Sequence, residues 1–418
     1  MNFNIRRLDS YLIIWILTIA YAILGSMRLP WLILDFFSLY LIGRYLFLVS
    51  KNGKYFIYAN AYYFIFSFLA LLLLVNIIVN GIELITIVKL WDTLKSVPIF
   101  IYFTKLFKSN NFVFIKFYRK YYNFLTLLFI INHIMIFYQI YSEIEYDLAT
   151  GTFGGESSHT IGFFWILLML MQIKQKHDIR FLLAAFSSIL LSILVDNNSA
   201  IYLIGVLIVY LGYIRFKKGE FVRILKLSVV SITTIVITVI FFITFLNKIA
   251  FTVGIGSLEN YLNIRTMRAI NIYIGKNKQV EDERLKILKK VYSINDTMFF
   301  GSGIGKGSEI NDIKGSMYRK IDPHLMINEI GLLSYEIGFL GFIFLLIMYA
   351  YILSNSLGKT NVVIYFISFV VLLLFSLKCD WINDDRSCFF VFMIWAVGLY
   401  NIRSHYFMKS MATNLVIR

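Results

Sequence analysis

Residues 121–141 read YYNFLTLLFIINHIMIFYQIY, a run of 21 residues without Asp, Glu, Lys or Arg. As an α-helix it rises about 1.5 Å per residue and covers about 30 Å, the depth of a bilayer's hydrocarbon layer. Runs of this kind recur from end to end: we count twelve, at 10–26, 31–49, 56–79, 84–104, 121–141, 160–173, 179–195, 199–214, 224–246, 329–353, 361–378 and 386–401. Composition agrees, since 59% hydrophobic residues, 18% aromatics and a mean hydropathy of +0.74 lie outside the soluble range. The expected fold is an all-α, polytopic membrane protein.

The fourth run is the weakest. It contains Lys89, Asp92, Lys95 and Pro98, a pattern that also fits an interfacial helix, although Lys89 and Asp92 at i, i+3 could partly neutralise each other. The sixth run is short.

Lys and Arg set the orientation, because basic short loops stay in the cytoplasm. With the N-terminus inside, the inward segments hold Arg6, Arg7, Lys51, Lys54, Lys105, Lys108, Lys116, Arg119, Lys120, Lys174, Lys176 and Arg180. They also hold Arg215, Lys217, Lys218, Arg223, Lys226, Lys359, Arg403, Lys409 and Arg418, whereas the short outward loops hold Arg28, Lys378 and Arg386. Both termini are expected in the cytoplasm, which requires the fourth run to cross. Membrane anchoring explains much of the +16 net charge, and no nucleic acid partner is needed. Ala20-Tyr21-Ala22 matches a small-x-small cleavage pattern, but the apolar run continues past it, so an uncleaved signal-anchor is expected. Cys379 and Cys388 fall near the outer face without metal-ligand spacing; they could pair, but free thiols are expected.

The apolar pattern divides the chain into 1–246 with nine spans, 247–328 as a large external segment, and 329–418 with three spans and a cytoplasmic tail. A loop of such length is functional or disordered. Two amphipathic patterns argue for order: Leu258, Tyr261, Leu262, Ala269 and Ile272 share one face, and Leu285, Leu288 and Tyr292 another. Helices lying on the outer leaflet fit them. Two other external loops are acidic, one with Glu143, Glu145, Asp147, Glu156 and His159, the other with Asp380, Asp384, Asp385 and Arg386. Orientation preference explains them most simply, with a sugar-binding rim or a divalent-cation site as the functional readings.

Residues 301–329, GSGIGKGSEINDIKGSMYRKIDPHLMINE, are the most loop-like of the chain. Gly301, Gly305, Lys306 and Gly307 fall one residue short of phosphate-loop spacing and lack its Ser or Thr. Asp322-Pro323 is a helix start, with His324 in the first turn and unpaired N–H groups facing the external surface, where a phosphate headgroup is available. At helical spacing His324, Asn328, Gly331, Tyr335 and Gly338 share a face, and Glu329 and Glu336 share another. Glu336 lies inside an apolar run, which points to a polar cavity. Arg265 and Arg268, at i, i+3, are suited to bidentate contacts with a pyrophosphate; headgroup anchoring would also account for them.

In this order Arg265, FFGSGIG at 299–305, PHLMINEIG at 323–331 and YEIGFLG at 335–341 resemble the large-loop region of O-antigen polymerases (the Wzy type) and O-antigen ligases. GTFGGESSHTIG at 151–162 and DNNSAIYLIGVLIVYLG at 196–212 are similar to two further segments of that family. Departures are Asn328, four residues after the His rather than next to it, and Ala200 where the family often has Arg; Arg386 or Lys378 could replace that contact. The resemblance implies a glycosyltransferase of the bacterial inner membrane that uses undecaprenyl-pyrophosphate-linked oligosaccharide as donor. His324, with Glu336 as second choice, would be the base. Arg265, Arg268, Asn328 and Arg386 would hold pyrophosphate and glycan. No cofactor and no metal are expected; membrane lipids, a chain-length regulator and a flippase are the further partners implied. A polymerase is favoured over a ligase passing finished glycan to lipid A core. A lipid-linked glycan flippase is the third reading, but it does not require a long external segment.

Overall fold

The computed structural model describes residues 5–23, 29–52, 71, 73–79, 81, 86–88, 91, 95, 98–99, 102–103, 112–142, 150–153, 158–175, 177–194, 198–217, 219–220, 229, 233, 299, 301, 303, 334–344, 347 and 386–397. Among these residues the chain is helical, with no strand. The long helices are α1 (Ile5–Ile23), α2 (Leu29–Asn52), α3 (Phe112–Tyr141), α4 (Ser158–Lys174), α5 (Asp178–Leu194) and α6 (Asn198–Lys217). Two shorter apolar helices follow, α7 (Ser334–Phe344) and α8 (Arg386–Val397).

The local sequence explains several boundaries. Helices α4, α5 and α6 open on Ser158, Asp178 and Asn198, and in α5 the acidic Asp178 stands in the first turn, where the helix field favours a negative charge. Helix α6 closes on Gly219, which has φ of +70° and donates its N–H to Phe216, while Glu220 N–H bonds Arg215 at 3.1 Å. Helix α3 is the one described helix long and apolar enough to cross a membrane, over Phe117–Gln139. It extends nine residues further toward the N-terminus than the apolar run, through Arg119 and Lys120, which are exposed.

The fold divides into two compact units, 1–17 with 28–114 and 282–418, and 18–27 with 115–281. In the second unit α4 is the central helix, buried at every position from 160 to 173 and packed by α5 and α6. A helix apolar on all sides belongs in that place. Helix α3 runs antiparallel to α4, since the His133 and Trp165 rings lie 5.3 Å apart and Tyr122 stacks on His177 at 5.8 Å. Its inner face carries Tyr121, Leu125, Phe129, Asn132 and Ile136, and its outer face carries exposed Leu127, Ile130, Ile131, Ile134 and Tyr138. Asn132 and His133 thus turn inward while an apolar stripe turns outward, the reverse of a water-facing amphipathic helix. At its N-terminal end the Tyr121 hydroxyl shares a 2.8 Å hydrogen bond with that of Thr18.

An ion pair joins α5 to α6. Arg215 is 1% exposed and donates to Asp178 at 2.6 Å and to Glu220 at 3.2 Å. Its charge, counted above among the cytoplasmic anchors, is satisfied inside the protein.

In the first unit, Asp35 of α2 accepts a 2.8 Å hydrogen bond from Trp91 Nε1 and lies 3.6 Å from the Lys95 ammonium. Ser38, one turn further along α2, donates to the Lys95 carbonyl at 2.7 Å. The carboxylate beside the buried Lys95 therefore comes from α2; Lys89 and Asp92, expected to neutralise each other, lie outside the described residues. Helix α8 is buried through Met393, with Phe389 against Phe103 at 5.7 Å.

Candidate functional site

Of the residues singled out from sequence, Glu336 and Arg386 are described, and both belong to the first unit. Arg265, Arg268, His324 and Asn328 lie outside the described residues. Arg386 was expected in an external loop; it is the first residue of α8 and is 5% exposed. Cys388, two residues on, is buried too, whereas Cys379 lies outside the described residues.

Glu336 stands at a backbone junction. Its carbonyl accepts from Gly303 N–H at 3.2 Å and from Asn76 Nδ2 at 3.0 Å. The junction depends on glycine on both sides. Gly301 has φ of +78°, and a Cβ there would fall on the Glu336 carbonyl and on Gly338 N. Gly338 has φ of +74°, and a Cβ there would fall on the Phe299 carbonyl. Both residues are in the left-handed region that glycine enters without steric cost, and both backbones approach more closely than any side chain allows. The helical face that sequence spacing assigned to His324, Asn328, Gly331, Tyr335 and Gly338 lies outside the described residues except for its last two members.

Two of the motif segments, FFGSGIG and YEIGFLG, thus meet backbone to backbone. The junction holds Gly303 against Glu336; His324 and Asn328, between them in sequence, lie outside the described residues. Asn76, absent from the sequence-based set, is 2% exposed and holds the same carbonyl. A polar Asn in the most apolar part of the run 56–79 was the available signal.

The second unit contains another of the motif segments. Residues Gly151–Phe153 form a 3-10 turn seated on α3. Gln139 brackets Gly151 with two hydrogen bonds, accepting from its N–H at 2.6 Å and donating to its carbonyl at 3.2 Å. Asn132, two turns earlier, donates to the Thr150 carbonyl at 3.2 Å and lies 3.4 Å from the Thr152 hydroxyl. Gly151 has φ of +64°, and a Cβ on it would collide with Asn132. Phe153 is fully buried against Phe164 of α4, with ring centroids 5.2 Å apart. Asn132 and Gln139, at i, i+7 on an otherwise apolar face, are residues that the sequence reading passed over.

No family model, no curated protein and no solved structure matches the chain.

Proposed function

We propose that this chain is a multi-pass membrane glycosyltransferase that joins undecaprenyl-pyrophosphate-linked repeat units into O-antigen or capsular polysaccharide at the outer face of the bacterial inner membrane. In this reading it crosses the membrane twelve times and keeps both termini in the cytoplasm. The observation that carries it is the close backbone approach of Gly301 and Gly303 to Glu336 and Gly338, because it joins two segments on which the family resemblance rests.

A hydroxyl of the acceptor glycan attacks the donor's anomeric carbon as the bond from that carbon to the phosphate oxygen breaks, through an oxocarbenium-like state. The electron pair leaves with the lipid pyrophosphate, and Arg265 and Arg268 stabilise its charge. Loss of one such contact costs a few kcal/mol of barrier, about 100-fold or more in rate. The hydroxyl proton passes to His324. Glu336 is 5% exposed and its carbonyl accepts from Gly303, which favours a positioning role over that of second-choice base. Asn328 and Arg386 bind pyrophosphate or glycan, and the arginines make a metal unnecessary.

The test is complementation of a deletion strain, read as glycan banding. Arg265→Ala and His324→Ala should each abolish the ladder while protein levels stay normal; long-chain product from both variants would defeat the site assignment. In the deletion itself, single repeats on the surface identify a polymerase, and their absence identifies a ligase. Purified protein with lipid-linked repeat units separates chain growth from translocation.

A further inference from the structure

The Gly151–Phe153 turn lies beside the body of α3, not beyond its end. Asn132 and Gln139 precede the last residue of α3, Tyr141, by nine and two positions, so the turn lies alongside the final turns of the helix. Non-helical backbone inside an apolar bundle persists where protein groups satisfy it or where it borders a polar site. Here both conditions meet. Asn132 Nδ2 and Gln139 satisfy the turn, yet Asn132 Oδ1, His133 Nε2 and Trp165 Nε1 have no hydrogen-bond partner among the described residues. Asn132 and Trp165 are 0% exposed and His133 8%.

The donor and acceptor pattern of these atoms is fixed by chemistry. His133 Nδ1 lies 3.0 Å from the Phe129 carbonyl, which can only accept, so the ring hydrogen is on Nδ1 and Nε2 of the neutral ring presents a lone pair. Asn132 Oδ1 also accepts, whereas Trp165 Nε1 can only donate. A phosphate or carboxylate would meet two lone pairs and a single donor. A metal ion would find neither carboxylate nor thiolate, and among the described residues no group of three His, Cys, Asp or Glu is gathered. A neutral hydroxyl fits, because it gives its hydrogen to one acceptor and takes one from the indole. The rings of Phe129 and Trp165 lie directly against that of His133, with centroids 3.9 and 5.3 Å away, so the hydroxyl would meet the ring edges.

We infer that His133, Trp165 and Asn132 form an internal binding site for a hydroxyl group beneath the Gly151–Phe153 turn, the hydroxyl being carried by a water molecule or by a neutral sugar. This site is independent of the proposed polymerase activity.

The experiment uses the full chain in lipid nanodiscs with 15N-labelled histidine, the His133 signals being assigned through His133→Gln. In one arm, magnetisation transfer from water to Nε2 is recorded; in the other, transfer from 13C-labelled maltotriose. Transfer from water that persists with the trisaccharide present supports a water hydroxyl, and its replacement by transfer from the trisaccharide supports a sugar. Trp165→Phe keeps a ring and removes the donor, so transfer should fall by roughly half or more. A bare Nε2 lone pair without transfer in either arm, a hydrogen found on Nε2 with Nδ1 bare, or full transfer in Trp165→Phe would overturn the proposal.

Discussion

The carbonyl of Phe299 fills the space that a Cβ on Gly338 would need, so two distant points of the chain are held at backbone contact. Gly338→Ala combines that collision with a positive φ of +74°. The backbone conformation alone should cost about 1–3 kcal/mol, seen as a lower Tm in detergent and as loss of long-chain glycan. Gly205→Ala in α6, where nothing lies within 4 Å of the added Cβ, is the matched control and should be neutral or stabilising. Equal behaviour of the two variants would show that the junction does not form.

The Asp178–Arg215 pair is buried, with 3% and 2% of the side chains exposed. Arg215→Met should destabilise by about 3–5 kcal/mol, because it leaves the Asp178 carboxylate in a desolvated place. The double variant Arg215→Met with Asp178→Leu should be less damaging than Arg215→Met alone. A double-mutant cycle from denaturant unfolding measures this; strictly additive losses would argue against coupling between α5 and α6.

Asp35 and Lys95 should respond unequally. The Asp35 side chain is 32% exposed and that of Lys95 only 7%. Asp35→Ala removes the carboxylate beside a buried ammonium and should cost a few kcal/mol. Lys95→Met removes the buried charge and should cost about 1 kcal/mol or less. Thermal unfolding of the two variants side by side checks the order, and the reverse order would refute this account of the pair.

Asn132→Leu and Gln139→Leu each remove two of the contacts that seat the Thr150–Phe153 turn. Each should cost about 1–3 kcal/mol, since buried backbone groups lose their partners. A Cys at position 152 should then be labelled faster by a water-soluble maleimide in either background than in the wild-type background. Unchanged labelling would mean that the turn is held by other means.

The fold was legible wherever the bilayer pattern and helix geometry coincide. Apolar runs at 160–173, 179–195 and 199–214 overlap α4, α5 and α6 to within a few residues, the helices opening on Ser158, Asp178 and Asn198. Helix α3 shows the limit: apolarity tells where lipid would begin, whereas hydrogen bonding carries the helix on through Arg119 and Lys120. Of the candidate site, the glycine motifs pointed to close backbone approach, but not to which segments approach each other. The roles of Asn76, Asn132 and Gln139 stayed hidden because each bonds a backbone group distant in sequence, and backbone groups carry no signature of their own. The partner of Arg215 stayed hidden for a similar reason. A basic residue at the end of an apolar run looks like an anchor until Asp178, 37 positions earlier, is found beside it.

The seating of the turn on α3 also bears on experiments that report sidedness. By length alone the 142–157 connection would be an obvious place to splice in an epitope, a protease site or a reporter enzyme. Between 150 and 153, such cargo would have to displace Phe153 from full burial and strip Gln139 of both bonds. A fusion there would record the fate of a damaged bundle, so a silent reporter at that spot says nothing about which side of the bilayer the loop faces.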